Sequence, residues 1–332
     1  MKGVTHPTSE QKLRAAVIGT GYLGRFHAQK YRAMAGVELV AVADLDQERG
    51  RQVGEELRVP WVADFRDLLD RVDLVSIAVP TQVHFAVAEA CLKAGVHTLI
   101  EKPMTATLAE ADELIRLAGQ NKCLIQVGHL KRFHPSVVAL EQSGWLKNCR
   151  FIESQRLAPF KNRGLDVDVV LDLMIHDVDL ILHFVKSEVT GMAALGRSLV
   201  TRHLDVAHAR LHFANGAEAV VSVSRVARES VRAMRFVQDD AFVSLDFISR
   251  HVHIVRRREA SDRLDGRSDA TVTPEVLPVQ DYDTLEAQIR AFCDAVRAGC
   301  PPWVSGDDGR RALEVVMAVR QVILDANAGG GR

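Results

Sequence analysis

The sequence is poor in three features that would each point to a partner or compartment. Charge of one sign is missing: 42 basic residues face 43 acidic ones, for a net charge of -1, so no basic field is present to hold a nucleic-acid backbone. Long apolar runs are missing: nothing approaches the ~18 consecutive apolar residues of a membrane span, and the opening "MKGVTHPTSEQK" lacks the apolar centre of a signal peptide. Paired cysteines are missing: Cys91, Cys123, Cys149, Cys293 and Cys300 are odd in number and form no C-x-x-C. That argues against a zinc ribbon or a disulfide framework and suits a reducing, cytoplasmic setting. HExxH is absent as well, so no metal is expected. No internal repeat is visible. The first dozen residues read as a polar arm and the closing "AGGGR" as a tail.

What is present is an ordinary core-forming composition, 47% hydrophobic over 332 residues, which favours two domains over one. From Leu13 to about Val127 short apolar runs alternate with helical patterns. "RAAVIG", "VELVAVAD", "DLVSIAV", "VHTLIEK" and "CLIQVG" are unbroken rather than alternating, as strands buried on both faces should be. "GRFHAQKYRAM", "DQERGRQVGEEL", "TQVHFAVAEACLKAG" and "TLAEADELIRLAGQN" carry helical spacing, with stops expected at Gly95 and Gly119. This order implies an α/β, doubly wound parallel sheet.

Beyond about residue 150 the rhythm changes. A strand-like "RFIESQRLA" leads into one long helix, "DVDVVLDLMIHDVDLILHFV", and then into alternating segments with a hairpin signal at "ANG". Successive strands without helices between them imply an α+β domain with a large, mostly antiparallel open sheet, one face of which a helix or another subunit must cover. Two helices close the chain, "TLEAQIRAFCDAVRAG" and "GDDGRRALEVVMAVRQVILDANA", the last free to pack back on the first domain. The charged stretch 258–275 reads as an exposed loop. The division expected is 13–130 for the first domain and 131–328 for the second.

"GTGYLG" supplies Gly19, Gly21 and Gly24 in G-x-G-x-x-G spacing, with Tyr22 and Leu23 between them, after a strand and before a helix. There Gly19 permits a tight turn, Gly21 lets the backbone approach a pyrophosphate, and Gly24 lets helix pack on strand. Asp44 closes the second strand, where a carboxylate would accept from the adenosine ribose diol and repel a 2′-phosphate, so NAD is favoured over NADP. No arginine follows it immediately. A glycine-rich turn with a surface aspartate is the plainer alternative. Pro80, Thr81 and His84, at the end of the fourth strand, fall on the same carboxyl edge and are expected to line the nicotinamide end.

In the long apolar helix, Asp168, Asp172 and His176 fall at i, i+4 and i+8, with Asp179 and His183 continuing that side. Carboxylates and imidazoles on a buried helix are costly unless partnered or functional. Three readings fit: a capped helix with satisfied core polar groups, with Asp166 or Asp168 near its N-terminus; a metal pair; or a catalytic histidine kept basic by Asp172.

"IEKPM" puts Glu101, Lys102 and Pro103 at the exit of the fifth strand. Alone, it reads as a surface ion pair or a proline-punctuated turn. With the glycine fingerprint, the second-strand acid and the D-x-x-x-H of Asp172 and His176, it resembles the Gfo/Idh/MocA oxidoreductase family over residues 13 to 325. The resemblance implies that Lys102 touches the reacting sugar hydroxyl, that His176 is the acid/base with Asp172 in support, that Glu101 lies at the cofactor, and that the second-domain sheet forms dimer or tetramer contacts. "QVGHLKRFHP" and "LAPFKNRGLDVDVVLDLMIHDVD" are similar to the branch that oxidises the 3-hydroxyl of UDP-N-acetylglucosamine for lipid A, a reaction expected to feed an aminotransferase. Lys131, Arg132, Lys161 and Arg163, with Phe160 and Asp168, then flank the UDP-sugar site. A diphosphate needs fixed cationic donors, although solvated loop charges explain the four cations equally well. Another polyol or sugar substrate (inositol, a free sugar, a UDP-uronic acid) and a non-catalytic NAD sensor are the alternatives.

Overall fold

Short strands, buried over most of their length, frame the first unit of the chain. The computed structural model describes residues 11–161, 167–256 and 275–329. The chain divides into a first unit that ends at Phe133 and resumes over Asp283–Leu313, and a second over His134–Tyr282 and from Glu314 onward. The division expected, 13–130 and 131–328, therefore has the chain crossing once where it crosses three times.

In the first unit β1 (Leu13–Ile18), α1 (Tyr22–Ala33), β2 (Val37–Ala43), α2 (Gln47–Leu57), β3 (Trp61–Val62), β4 (Leu74–Ile77), α3 (His84–Lys93), β5 (His97–Ile100), α4 (Leu108–Asn121) and β6 (Ile125–Val127) follow in order. The strands pair in parallel as β3-β2-β1-β4-β5-β6. Every residue of β4 and β5 is buried, which is why both read as unbroken apolar runs. Strand order reverses between β1 and β4, and a crevice opens beyond their carboxyl ends. Local signals start the helices: Thr107 and Glu110 form a reciprocal capping box on α4, and Asp46 caps α2 by accepting from the Arg49 amide at 3.1 Å. Gly119 does not end α4. The helix runs to Asn121, and Lys122, at φ +55°, turns the chain so that its amide and that of Cys123 reach back to Ala118.

In the second unit α5 (Pro135–Ser143) and β7 (Phe151–Leu157) precede α6 (Ile175–Val185), after which come β8 (Val189–Arg197), β9 (Val206–Phe213), β10 (Glu218–Ser224), β11 (Val231–Val237), β12 (Ala241–Asp246), β13 (Val252–Arg256) and β14 (Glu275–Leu277). The sheet order is β14-β13-β12-β11-β7-β10-β9-β8, parallel only between β7 and β10. The "ANG" turn joins β9 to β10, with Gly216 at φ +82°. The long helix is not uniform: Val170–Met174 is a π turn that passes into α6, so residues four apart within it no longer stack as they do in an α-helix. Of the stretch 258–275, only Glu275 is among the described residues, and it opens β14.

α7 (Thr284–Ala298) returns to the first unit, where Ile289, Phe292, Cys293 and Val296 join Leu13, Tyr31, Leu39 and Leu99 in one core. Burying a side chain such as Phe292 is worth ~1.5–3 kcal/mol, so this helix is an integral layer of the first fold. α8 (Gly306–Gly329) closes the described chain. Among the described residues no helix is long and apolar enough to cross a membrane.

Candidate active site

The turn from β1 to α1 is shaped by two glycines. Gly19 stands at φ +91°, and any Cβ on Gly24 would collide with the Gly19 carbonyl oxygen. Gly21, at the N-cap of α1, faces open space, with no atom within 4 Å of where a Cβ would be. A turn that admits an anion against helix amides needs that combination of tight packing behind and room in front. Gly19 and Gly21 line a cavity of about 960 Å³, walled also by Asp44, Asp46, Arg49, Asp64, Arg66 and Pro80. The glycine cradle, the cavity and the carboxylate at its far end fit NAD. Tyr22, Leu23, Thr81, His84, Glu101 and Lys102 are not part of this wall.

Asp44 follows directly on β2 and is 8% exposed. Burial alone would raise its pKa, but hydrogen bonds from Arg49, from the Thr20 amide and hydroxyl and from the Asp46 amide outweigh it and hold the carboxyl down to about 2. Trp61 fixes the backbone there, donating its indole N–H to the Asp44 carbonyl at 3.0 Å. Arg49 and Trp61 were not singled out in the sequence. The available signal was spacing, since Arg49 falls in the first turn of the helix that follows Asp44, five positions on.

His84 does not line the cavity. It is 1% exposed, and its ring nitrogens each lie 2.9 Å from a carbonyl oxygen, Nδ1 from Pro103 and Nε2 from Val79. Burial lowers its pKa, against the pull of those two carbonyls and of Glu101. His84 therefore ties the segment after β4 to the segment after β5. In that second segment the Lys102–Pro103 peptide is cis and Lys102 is half-buried. Glu101 is held from behind: His27 Nε2 lies 3.2 Å from its Oε1, His27 Nδ1 lies 3.0 Å from Ser76 Oγ, and Tyr31 OH lies 2.9 Å from the same Oγ. His27, Ser76 and Tyr31 were likewise missed. Three residues past Gly24, His27 sits on the buried side of α1.

In the second unit most of the polar stripe has structural work. Asp168 caps the helix, accepting from the amides of Val170 at 3.1 Å and Leu171 at 3.0 Å, and pairs with Arg320 Nε at 2.6 Å. Asp177, which the spacing did not flag, receives a fork of two bonds from the buried Arg156 at 2.7 and 2.9 Å. His183 turns to Glu141 at 3.1 Å, and Asp179 is 1% exposed. Asp172 and His176 are half-buried, on either side of the passage from π turn to α-helix. Among the described residues no three His, Cys, Asp or Glu side chains are grouped to hold a metal ion.

Of the four cations, Arg132 is an internal residue of the first unit, 3% exposed and 3.6 Å from Asp308. That ion pair ties it to the N-terminal turn of α8 rather than to a loop surface. Lys131 is half-buried, Lys161 is exposed and Phe160 is 42% exposed. Arg163 lies outside the described residues, as does Asp166.

The comparisons agree with this geometry. The Gfo/Idh/MocA oxidoreductase model of an NAD-binding Rossmann fold matches residues 13–129, and the Gfo/Idh/MocA C-terminal domain matches 148–242. UDP-N-acetylglucosamine 3-dehydrogenase of Acidithiobacillus ferrooxidans is 42% identical over 94% of this chain and 97% of its own. The solved structure of that enzyme, GnnA, superposes with a TM-score of 0.87 at 41% identity, covering 94% of this chain and 98% of that one. Myo-inositol 2-dehydrogenase of Thermotoga maritima is 27% identical over 93% of this chain and 96% of its own. With both of its domains matched and a full-length relative at that identity, the chain belongs to the Gfo/Idh/MocA family of NAD-dependent oxidoreductases.

Proposed function

We propose that this enzyme oxidises the 3-hydroxyl of UDP-N-acetylglucosamine to the 3-keto sugar. The observation that carries this reading is the 42% identity, spread over nearly the whole of both chains, to a dehydrogenase of that name. Lys102, Asp172 and His176, present in the E-K-P and D-x-x-x-H patterns, support it.

NAD, held at the Gly19–Gly24 turn and Asp44, supplies the hydride acceptor. Loss of hydride from a carbinol carbon requires the hydroxyl proton to leave with it. In this reading His176 is the base that takes that proton, with Asp172 favouring its protonated form. Lys102 donates to the same oxygen, lowering the hydroxyl pKa and stabilising the negative charge that develops there. Lys131, Lys161 and Arg163 are the cations this reading assigns to the diphosphate and Phe160 a further substrate contact, while Asp168 and Arg132 act through the ion pairs that hold their segments. Pro80 and Thr81 border the coenzyme, and His84 and Glu101 position the chain around Lys102.

Oxidation of an alcohol by NAD is uphill near neutral pH, so a following aminotransferase that consumes the ketone completes the scheme and leads to amide-linked lipid A in the cytoplasm. The half-exposed face of the second sheet, with Leu195, Phe242 and Val276 on its surface, supports a homo-oligomer, a dimer or tetramer. The test mixes enzyme, NAD and UDP-N-acetylglucosamine with an aminotransferase or a carbonyl trap and follows NADH absorbance. NADH formation with this sugar, and none with myo-inositol, free glucose or a UDP-uronic acid, is the expected result. Turnover of myo-inositol instead would move the enzyme to the chemistry named for the Thermotoga maritima relative, and NADH formation with none of the panel would favour a binding protein.

A further inference from the structure

The carboxylate that should receive the adenosine ribose is already fully engaged within the chain. Asp44 Oδ2 accepts from the Thr20 amide at 2.7 Å, from the Thr20 hydroxyl at 2.7 Å and from Arg49 Nε at 3.1 Å, while Oδ1 accepts from the Asp46 amide at 2.9 Å and from Arg49 Nη2 at 2.9 Å. Two carboxylate oxygens offer about four lone-pair positions, so five donors leave none for a ribose diol. The donors from Thr20 and Asp46 belong to the turns that build the site. Arg49 is the donor able to withdraw: its side chain is 47% exposed and stands in the first turn of α2. A ribose that hydrogen-bonds to Asp44 therefore has to displace Arg49.

Displacement does not take the guanidinium out of the site. Arg49 lines the cavity, and so does Arg66, which is paired with Asp64 at 3.2 Å. Two arginines thus stand at the adenosine end, each neutralised by a carboxylate of the same wall, Asp44 and Asp46 for one and Asp64 for the other. For a coenzyme with a free 2′-hydroxyl they have nothing to bind. For one with a 2′-phosphate, a planar guanidinium released from Asp44 finds a dianionic partner with oxygens for a forked pair of hydrogen bonds.

We propose that Arg49 sets coenzyme choice: it competes with the adenosine ribose for Asp44 and, once displaced, forms with Arg66 a latent site for the 2′-phosphate of NADP, which the charge of Asp44 keeps secondary to NAD. NADP is then a second, weaker coenzyme. The inference rests on the NAD site and not on the identity of the sugar, so a failure of UDP-N-acetylglucosamine to react leaves it standing.

The test is coenzyme binding by the full-length protein, read from nicotinamide fluorescence with NADH and NADPH, for wild type, Arg49→Gln, Asp44→Ser and the double variant. Wild type binds NADPH measurably but more weakly than NADH. Arg49→Gln weakens NADPH about tenfold, the worth of one charge-assisted contact, and leaves NADH unchanged or tighter because a competitor is gone. Asp44→Ser reverses the preference by about tenfold or more, and the double variant loses that gain. Arg49 is exposed enough for its variant to fold. Should Asp44→Ser not fold, displacement of NADH from wild type and Arg49→Gln by adenosine 2′,5′-bisphosphate against AMP decides the same point. Equal weakening of both coenzymes by Arg49→Gln, or a folded Asp44→Ser that binds NADPH no better than wild type does, overturns the proposal.

Discussion

His27 and Glu101 form a buried pair behind the segment that carries Lys102, with Nε2 3.2 Å from Oε1 and side-chain exposures of 0% and 12%. With the Glu101 carboxylate as the acceptor, Nε2 donates to it, Nδ1 accepts from the Ser76 hydroxyl and Ser76 in turn accepts from Tyr31. Burial raises the Tyr31 pKa well above its usual value, which keeps its O–H a donor at the head of the chain. Each donor is used and the row ends on a carboxylate that needs one.

His27→Leu removes the last donor while Glu101 stays buried, and the expected loss is about 2–4 kcal/mol of stability. His27→Gln retains an N–H near the same place and should recover at least half of that. Thermal unfolding followed by circular dichroism separates the two. Equal melting temperatures for Leu and Gln variants would mean that the pair contributes only packing.

Lys102→Met and His176→Asn address the chemistry directly. Each should lower kcat by about 10²–10⁴, the range for a positioned acid/base or charge-stabilising group. NADH binding should stay within about threefold of wild type, because neither residue lines the adenosine cavity. Single-turnover NADH formation measures the first and nicotinamide fluorescence the second. A variant that loses both together would assign its residue to folding.

Arg156 and Asp177 are 6% and 1% exposed and share two hydrogen bonds between β7 and α6. Removing one partner strands a charge in the interior, so Arg156→Met should cost about 3–5 kcal/mol. Replacing both, with Asp177→Leu added, should restore much of it, because two apolar groups leave nothing unpaired. Denaturant midpoints of the single and double variants form the check, and additive losses would contradict this account.

How much of this was legible in advance follows the range of the interaction concerned. β4, β5 and β6 are buried throughout and β1 and β2 over most of their length, so each is a run that can be read residue by residue, and the glycine turn is encoded within six positions. β3 has two residues, β8 is broken by glycines and alanines, and α5 announces itself only by Pro135 at its first position, after His134, whose ring accepts from the Ser136 amide; none carries enough period to be seen. The polar stripe shows the limit most clearly. Its spacing was visible, but Asp168 is answered by Arg320, 152 positions away, and Asp177 by Arg156 on another element, so local sequence could not tell which carboxylates of the stripe are taken up by distant arginines. The return of α7 to the first core is long-range in the same sense: its apolar face was plain, its destination was not.

His84 gives the molecule a pH signature whose sign can be worked out. In the unfolded chain it titrates near 6.5, whereas in the fold burial lowers its pKa. As pH falls below about 6.5 the unfolded state takes up the proton first, so stability declines from there and levels off only below the folded pKa. The folded ring sits between two carbonyl oxygens, of Val79 and Pro103, and when neutral it donates to one of them. His84→Gln keeps a donor and removes the titration. Between about pH 7 and about pH 5 its melting temperature should therefore fall less steeply than that of wild type. Near pH 8 the variant should be the less stable protein, since one ring-to-carbonyl contact is lost. Melting curves recorded across that range give the difference directly, and because the other histidines are common to both proteins, parallel curves would show that His84 is not the group responsible.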